Sequence, residues 1–451
     1  MMNVDGKKIV VVGTGVSGIG AVKLLAQTGA VITLYDGNEK LAESDVRAKL
    51  PKDCEVRIIL GEMPQSVIDD TDLLVISPGV PIDSPIVLAF KDAGVTVWGE
   101  IELAYNFEQG SVYAITGTNG KTTTTTLIGE IMKEWNPKTF VVGNIGTSYT
   151  GEVLKTSKDS ITVAEISSFQ LETIHDFRPV GSAILNITPD HLNRHYTMEN
   201  YISVKESITR NQKDDDFCVL NYDDEVLREF GNTINNTVFF SRKTILKEGV
   251  YLDNNMIKCT FDGRTQDVID VKDLFIFGNH NYENVMAAVA MTVKAGVPLD
   301  IIVRVLKAFK GVEHRIEFVR ELDGVTYYND SKGTNPDASI KALAAMTKPT
   351  LIIAGGYDKH SEFDGFIDAF GGKVKLMVLI GTTAPQIEKT ARAHGFDNII
   401  NTDSLENAVQ ICHDNAVSGD VVLLSPACAS WDMFKSYEER GRLFKEYVNR
   451  F

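Results

Sequence analysis

Short runs rich in Val and Ile alternate with stretches of helical periodicity along nearly the whole chain. That rhythm predicts an α/β protein, with parallel sheets covered by helices on both faces. In the first hundred residues strands are expected at Lys8–Val12, Val31–Tyr35, Val56–Leu60, Leu73–Ile76 and Val95–Val97, with a tight turn at Ser77–Pro81. An amphipathic stretch over Trp98–Gln109 then leads to a fresh strand, Val112–Thr116, and a glycine turn. Further strands are expected at Ile161–Ile166, Ser182–Ile187 and Phe217–Leu220, with a hairpin over Val250–Phe261 turning at Asp253-Asn254-Asn255. Helix Asn281–Lys294 and a second helical stretch after Pro298 close this block. A hairpin turning at Asp323-Gly324 opens a last block with strands Leu351–Ala354, Val374–Ile380 and Val421–Leu424. Three domains follow, 1–100, 101–310 and 311–451.

Two glycine-rich turns carry the first chemistry. Gly13-x-Gly15-x-x-Gly18 follows a strand and opens a helix, and Asp36 ends the next strand about 20 residues on, the dinucleotide fingerprint. Glycines let the backbone approach phosphates, and the helix N-terminus favours an anion. By itself this turn fits a nicotinamide or flavin cofactor, another nucleotide such as a UDP-sugar, or no ligand. The second turn, AITGTNGKTT over Ala114–Thr123, is more specific. Backbone N–H groups of Gly117, Thr118, Asn119 and Gly120 can cradle phosphates, Lys121 can meet the outer ones, and the Thr122 or Thr123 hydroxyl can reach Mg²⁺. Ile115 stands where the usual phosphate loop has its first glycine. Thr122–Thr126 is a poor helix start by propensity, so a bound phosphate offers a reason for the helix to begin there.

Glu165 in ITVAEISSFQLE sits at the carboxyl end of an apolar strand, where such sheets bind ligands and a carboxylate suits a hard cation. His191 and His195 in TPDHLNRH are four apart, but no third ligand follows at zinc spacing and the local backbone reads as loop. Lys205 in MENYISVKESITR is by itself an ordinary surface lysine. Polar loops at GNHNxxN (His280, Asn281, Asn284), His314-Arg315, NDSKGTN (Asp330, Lys332, Thr334), GGYDK (Lys359) and SPACASW (Ser430, Trp431) supply Arg315, Lys332 and Lys359 as cations suited to anionic substrates.

Across 451 residues, 43% hydrophobic and 24% charged positions exclude disordered and fibrous classes. The net charge of −16 argues against nucleic acid as the main partner. Five cysteines without a Cys-x-x-Cys pair give no disulfide framework or zinc pattern. No apolar run is long enough to span a membrane, and the Lys7-Lys8 start is read as a strand rather than a leader, so a cytoplasmic protein is expected.

In their order and spacing, GTNGKT, EISSFQLE, TPDHLNRH, GNHNxxN, HR, NDSKGTN, GGxDK and SPACASWDxFxxxxxRG resemble the ATP-dependent muramyl amino-acid ligases. The resemblance covers nearly the whole chain. It implies a Rossmann-like UDP-binding domain, a central P-loop-type ATPase domain and a C-terminal Rossmann-like domain bearing the amino-acid site. It also implies substrates: ATP, UDP-N-acetylmuramoyl-L-alanine and D-glutamate, with L-alanine addition to the muramyl sugar as the alternative. By this resemblance NAD is not expected at the first turn, where Gly15, Ser17, Asp36 and Ser77 would serve the UDP side, and Asn144 and His191 the muramyl side. Lys121 and Arg315 would act on the phosphates, with Asn281, Asn284 and Asp330 also contacting nucleotide. Two Mg²⁺ ions are implied, held by Thr122, Glu165, His191 and Lys205, the last as a carbamate. Lys332, Thr334, Lys359, Ser430 and Tyr437 would form the D-glutamate pocket. A monomer with a hinge near Lys310–Gly311 completes the expectation.

Overall fold

The computed structural model describes residues 3–52, 54–145, 147–357 and 361–451. The chain divides into two compact units, Met1–Asp273 with Asn279–Lys307, and Leu274–Gly278 with Ala308–Phe451. The chain therefore passes between them at three points, the last falling three residues before the expected Lys310.

The first unit holds two sheets. One is fully parallel, in the spatial order Val56–Leu60, Val31–Asp36, Lys8–Val12, Leu73–Ile76, Thr96–Gly99. Its central strands Lys8–Val12 and Leu73–Ile76 are near-continuous apolar runs because both faces are covered. Ile9, Val11, Leu73 and Val75 pack on one side with Leu24 and Ile101, while Val10, Val12, Leu74 and Ile76 pack on the other with Val67 and Phe90. The chain order reverses between Lys8–Val12 and Leu73–Ile76, which opens a crevice at their carboxyl ends.

The second sheet has nine strands: Arg264–Asp270, Met256–Phe261, Gly249–Asp253, Thr237–Ser241, Phe217–Asn221, Gly181–Ile184, Ser111–Thr116, Ile161–Glu165 and Thr139–Gly143. The last seven run parallel, and the first two form antiparallel ribbons at one edge. Thr139–Gly143, Thr237–Ser241 and Arg264–Asp270 are not among the expected strands. The strand expected to reach Ile187 stops at Ile184, because Asn186 leaves the sheet to brace the neighbouring glycine turn. Apolar packing is continuous from the first sheet into this one, through Ile101, Leu103, Tyr149 and Leu171.

The second unit carries one sheet: Glu317–Leu322, Val325–Asn329, Val421–Leu424, Thr350–Ala354, Val374–Leu379 and Ile399–Asn401. Among the described residues its one antiparallel strand pair is the hairpin at Asp323-Gly324, where φ is positive at both residues (52° and 78°), the turn that matches strand twist. No helix among the described residues is long and apolar enough to cross a membrane.

Candidate active site

Three adjacent strands of the nine-stranded sheet end at one place. Ser111–Thr116 runs into the Gly117–Gly120 turn, Ile161–Glu165 ends on its glutamate, and Gly181–Ile184 continues into Asn186. Asn186 holds the turn rigidly: its Oδ1 accepts from Asn119 N at 2.8 Å, its Nδ2 donates to Asn119 O at 3.1 Å, and its carbonyl accepts from Thr118 N at 2.9 Å. Gly120 has φ +85° and stands at the start of helix Lys121–Trp135 without a side chain to cap it. The first-turn backbone N–H groups thus face the turn rather than a protein cap, the arrangement that binds anions. The threonine run survives in this helix because Thr123, Thr124 and Thr125 are buried. The Thr124 hydroxyl also donates to Asn284 Oδ1 at 3.3 Å.

Two lysines converge on the turn. Lys121 Nζ donates to Gly117 O and Thr118 O, both at 2.9 Å, and Lys205 Nζ donates to the same Gly117 O at 2.9 Å. Lys205 is not the surface lysine its local sequence suggests; it is 1% exposed on helix Met198–Glu206, 4.8 Å above the Tyr201 ring. Burial, and then the neighbouring Lys121 charge, lower its pKa to about 7, against the opposing pull of Asp190.

Glu165 is 2% exposed. Its Oε1 accepts from Asn144 Nδ2 at 3.0 Å, and its Oε2 is buried without a hydrogen-bond partner. An orphaned carboxylate oxygen beside a phosphate-type turn fits a hard cation. Among the described residues no three His, Cys, Asp or Glu side chains converge as a ready-made metal cage. That also suits Mg²⁺, which is usually completed by substrate phosphates and water. His191 is largely exposed, in left-handed conformation (φ 53°), its Nε2 3.6 Å from Asp190 and its ring 4.9 Å from Phe169. The segment after it is not a plain loop but one helical turn, Leu192–His195. This turn buries His195 against Ser168, with Nε2 to Oγ at 3.0 Å, while burial lowers the His195 pKa to about 4. Asn284 stands beside Gly120 on helix Asn279–Lys294, and its Nδ2 donates to Asn281 Oδ1 at 3.2 Å.

On the first sheet, Gly13 (φ +104°) follows Val12, and a side chain on Gly18 would stand 1.9 Å from Gly13 O, so the turn requires glycine. Gly15 precedes helix Val16–Leu25, with Ser17 in its first turn. Asp36 accepts from Thr14 N at 3.2 Å and Thr14 Oγ1 at 2.7 Å, and Ser77 Oγ donates to Val12 O at 2.9 Å. All of these lie at the carboxyl ends of strands flanking the crevice.

In the second unit Arg315 is exposed on a turn whose neighbours His314 and Ile316 both have positive φ (65° and 44°). Asp330 is buried, with Oδ1 accepting from Ile316 N at 3.2 Å and Oδ2 from Ser425 Oγ at 2.7 Å. Burial raises its pKa to about 7. Thr334 N donates to Lys332 O at 2.8 Å, and Lys332 Nζ lies 5.9 Å from the centre of the Tyr437 ring. Ser430 is 2% exposed. Lys359 lies outside the described residues. Arg440 escapes the sequence reading: it is fully buried and donates to Ser331 Oγ (3.0 Å), Ser331 O (2.9 Å) and Cys428 O (3.2 Å), tying the Asp330–Thr334 and Ser425–Ser430 loops together. Asn186, Tyr201 and Thr14 were equally silent in the sequence. For Arg440 the one available signal was its place as the arginine that closes SPACASWDxFxxxxxRG.

The chain is similar to known proteins over nearly its whole length. Residues 7–99 match the Mur ligase MurD-like N-terminal domain, 115–292 the Mur ligase middle domain, and 314–428 the Mur ligase glutamate ligase domain. UDP-N-acetylmuramoylalanine–D-glutamate ligase of Lachnospira eligens is 60% identical, covering 99% of this chain and 100% of that protein. The enzyme of the same name from Lachnoclostridium phytofermentans is 54% identical, and that from Clostridioides difficile 46%, each covering 99% of this chain and 99% of its own. Among solved structures, the UDP-N-acetylmuramate–alanine ligase of Thermotoga maritima superposes with a TM-score of 0.59 at 19% identity, over 98% of this chain and 99% of that one. The MurF ligase of Thermotoga maritima in complex with ADP gives 0.55 at 19% identity, over 99% and 96%. A three-sheet α/β chain matching these family domains and aligning with such relatives from end to end belongs to the Mur ligase family.

Proposed function

We propose that the chain joins D-glutamate to UDP-N-acetylmuramoyl-L-alanine at the expense of ATP, in the synthesis of peptidoglycan precursors. The observation that carries this reading is the 60% identity over the full length to a relative named for that reaction. The site geometry supports it. A carboxylate is a poor electrophile, so ATP first phosphorylates it: a carboxylate oxygen attacks the γ-phosphorus, ADP leaves, and an acyl phosphate forms. The neutral amine of D-glutamate then attacks the acyl carbon, phosphate departs, and an amide bond remains.

The first step sets an anionic carboxylate against an anionic phosphate, so positive charge and N–H donors must surround it. Removing one such group at a reacting centre costs roughly 3–4 kcal/mol of barrier. The Gly117–Gly120 backbone and Lys121 would hold the outer phosphates, Thr123 would line the same turn, and Asn281, Asn284, Arg315 and Asp330 would complete the nucleotide contacts. Thr122 and Glu165 would hold one Mg²⁺, and His191 with Lys205 a second. Bound there, Mg²⁺ would offset phosphate charge. Lys205 suits a ligand role as a carbamate: its buried amine, with a pKa of about 7, is substantially neutral near neutral pH and can add CO₂ with loss of a proton. Gly15, Ser17, Asp36 and Ser77 would take the UDP group, Asn144 and His191 the muramyl end. Lys332, Thr334, Lys359, Ser430 and Tyr437 would take D-glutamate, whose second carboxylate explains the need for two lysines.

In this reading residues 1–100 bind the UDP substrate, 101–310 bind ATP and 311–451 bind the amino acid, in a cytoplasmic monomer pivoting near Lys310–Gly311. The test is phosphate release with the muramyl substrate and D-glutamate, L-glutamate, L-alanine or glycine. Release dependent on D-glutamate is expected. Equal release with all four, or most with L-alanine, would overturn the assignment.

A further inference from the structure

Beyond these contacts, the turn that carries His191 is fastened to the first sheet in a way the reaction scheme does not use. Arg194, on that turn, forms a bidentate pair with Glu172, Nη2 to Oε2 at 2.5 Å and Nε to Oε1 at 3.3 Å. The same Nη2 donates to Val80 O at 3.0 Å, in the loop that follows strand Leu73–Ile76 and begins at Ser77. Arg194 and Glu172 side chains are only 11% and 5% exposed, so the pair is largely shielded from water. The guanidinium also lies 4.7 Å over the Phe169 ring, and that ring stands 4.9 Å from His191 and 5.6 Å from His195. A second strut lies beside the first, where the Tyr196 hydroxyl donates to Asp83 of the same loop. His191 and Tyr196, which bracket the turn, both have positive φ (53° and 67°), a conformation that non-glycine residues keep only when their surroundings hold it.

We infer that Arg194 is a positioning residue that couples the UDP-substrate loop to His191, so that binding on the first sheet and binding at the phosphate turn reinforce one another. The inference rests on the functional reading above. Its chemistry requires arginine: a planar fork can satisfy Glu172 with two N–H groups and still donate to a third acceptor, whereas a single ammonium cannot match that geometry. Val80 N is itself tied to Ser77 O at 2.9 Å, so a ligand that orders Ser77 also orders the carbonyl gripping Arg194. Because linkage is reciprocal, a nucleotide that orders His191 must tighten the UDP side by the same factor.

The experiment is calorimetric titration of the full chain with UDP-N-acetylmuramoyl-L-alanine, with and without saturating ADP and Mg²⁺. The wild type is expected to bind the muramyl substrate about 10-fold more tightly when nucleotide is present, within the usual range for coupled sites. Arg194→Lys keeps a cation against Glu172 but loses the third bond. Its coupling is expected to fall below about 2-fold while each ligand alone binds within about threefold of wild type. A merely structural role would instead weaken both ligands and leave their ratio alone. Tyr196→Phe removes only a hydroxyl from a residue 69% exposed, so it folds, and it is expected to lower the coupling about threefold. Full coupling in both variants, or in Tyr196→Phe alone should Arg194→Lys not fold, would overturn the inference. Wild-type protein that binds both ligands without coupling would overturn it while leaving the function standing. Wild-type protein that binds neither would remove the functional reading and the inference with it.

Discussion

Replacing Gly120 by alanine tests how closely the phosphate turn depends on its backbone. The residue has φ +85°, and a left-handed conformation costs a residue with a side chain about 1–2 kcal/mol. The new Cβ would lie 2.2 Å from Asn284 Oδ1 and 3.3 Å from Leu185 Cδ1. Asn284 is buried and would have to turn away, giving up its bonds to Thr124 at 3.3 Å and Asn281 at 3.2 Å. At about 1 kcal/mol for each, the total reaches about 3–4 kcal/mol. Urea unfolding should register most of it as lost stability if the turn keeps its shape. If the turn springs open instead, the loss should appear in the KM for ATP, as a rise of about 100-fold or more. The two readouts together should account for the total. A variant within about 0.5 kcal/mol of wild type in stability, with an unchanged KM for ATP, would refute the reasoning.

Two further substitutions probe the other sites. Gly18→Ala sets a Cβ 1.9 Å from the Gly13 carbonyl oxygen, a backbone atom that cannot rotate aside. A loss of at least about 3 kcal/mol in urea unfolding is expected, with a raised KM for the UDP substrate. Asp330→Asn removes a carboxyl whose pKa burial raises from 3.8 to about 7. A raised folded-state pKa means stability present at low pH and lost as pH climbs through about 7. Asparagine mimics the protonated form, so the variant should gain stability relative to wild type between about pH 4 and pH 7. The gain approaches an upper bound of about 4 kcal/mol and is flat above that range. Denaturant midpoints at pH 5, 6, 7 and 8 check it; a difference that does not grow with pH would contradict the assignment.

Most central strands were legible because they are buried on both faces and spell uninterrupted Val, Ile and Leu. Lys8–Val12, Leu73–Ile76 and Val421–Leu424 stand where their apolar runs predict. Of the strands that escaped, Thr237–Ser241 lies inside its sheet but is only partly buried, and the others lie at sheet edges. Arg264–Asp270 lies at a sheet edge with four exposed polar residues in succession, so it carries no apolar pattern. Thr139–Gly143 and Ile399–Asn401 are edge strands whose burial is partial. The phosphate turn and Glu165 were readable from local residue order. Lys205 was not: its burial depends on Gly117, 88 residues away, and no local pattern encodes that approach. Glu102 makes the same point. It looks like a surface carboxylate, yet it is fully buried and accepts from the backbone N–H groups of His175, Asp176 and Phe177, more than 70 residues distant.

The central claim is that ATP is spent to phosphorylate a carboxylate, and the fate of that carboxylate's oxygen tests it most directly. UDP-N-acetylmuramoyl-L-alanine labelled with oxygen-18 in its alanyl carboxylate would be turned over with ATP and D-glutamate, and the released phosphate analysed by mass spectrometry. Passage of one labelled oxygen into phosphate for each amide formed is predicted, since the carboxyl oxygen leaves with the phosphoryl group. Unlabelled phosphate accompanying amide formation would contradict the account.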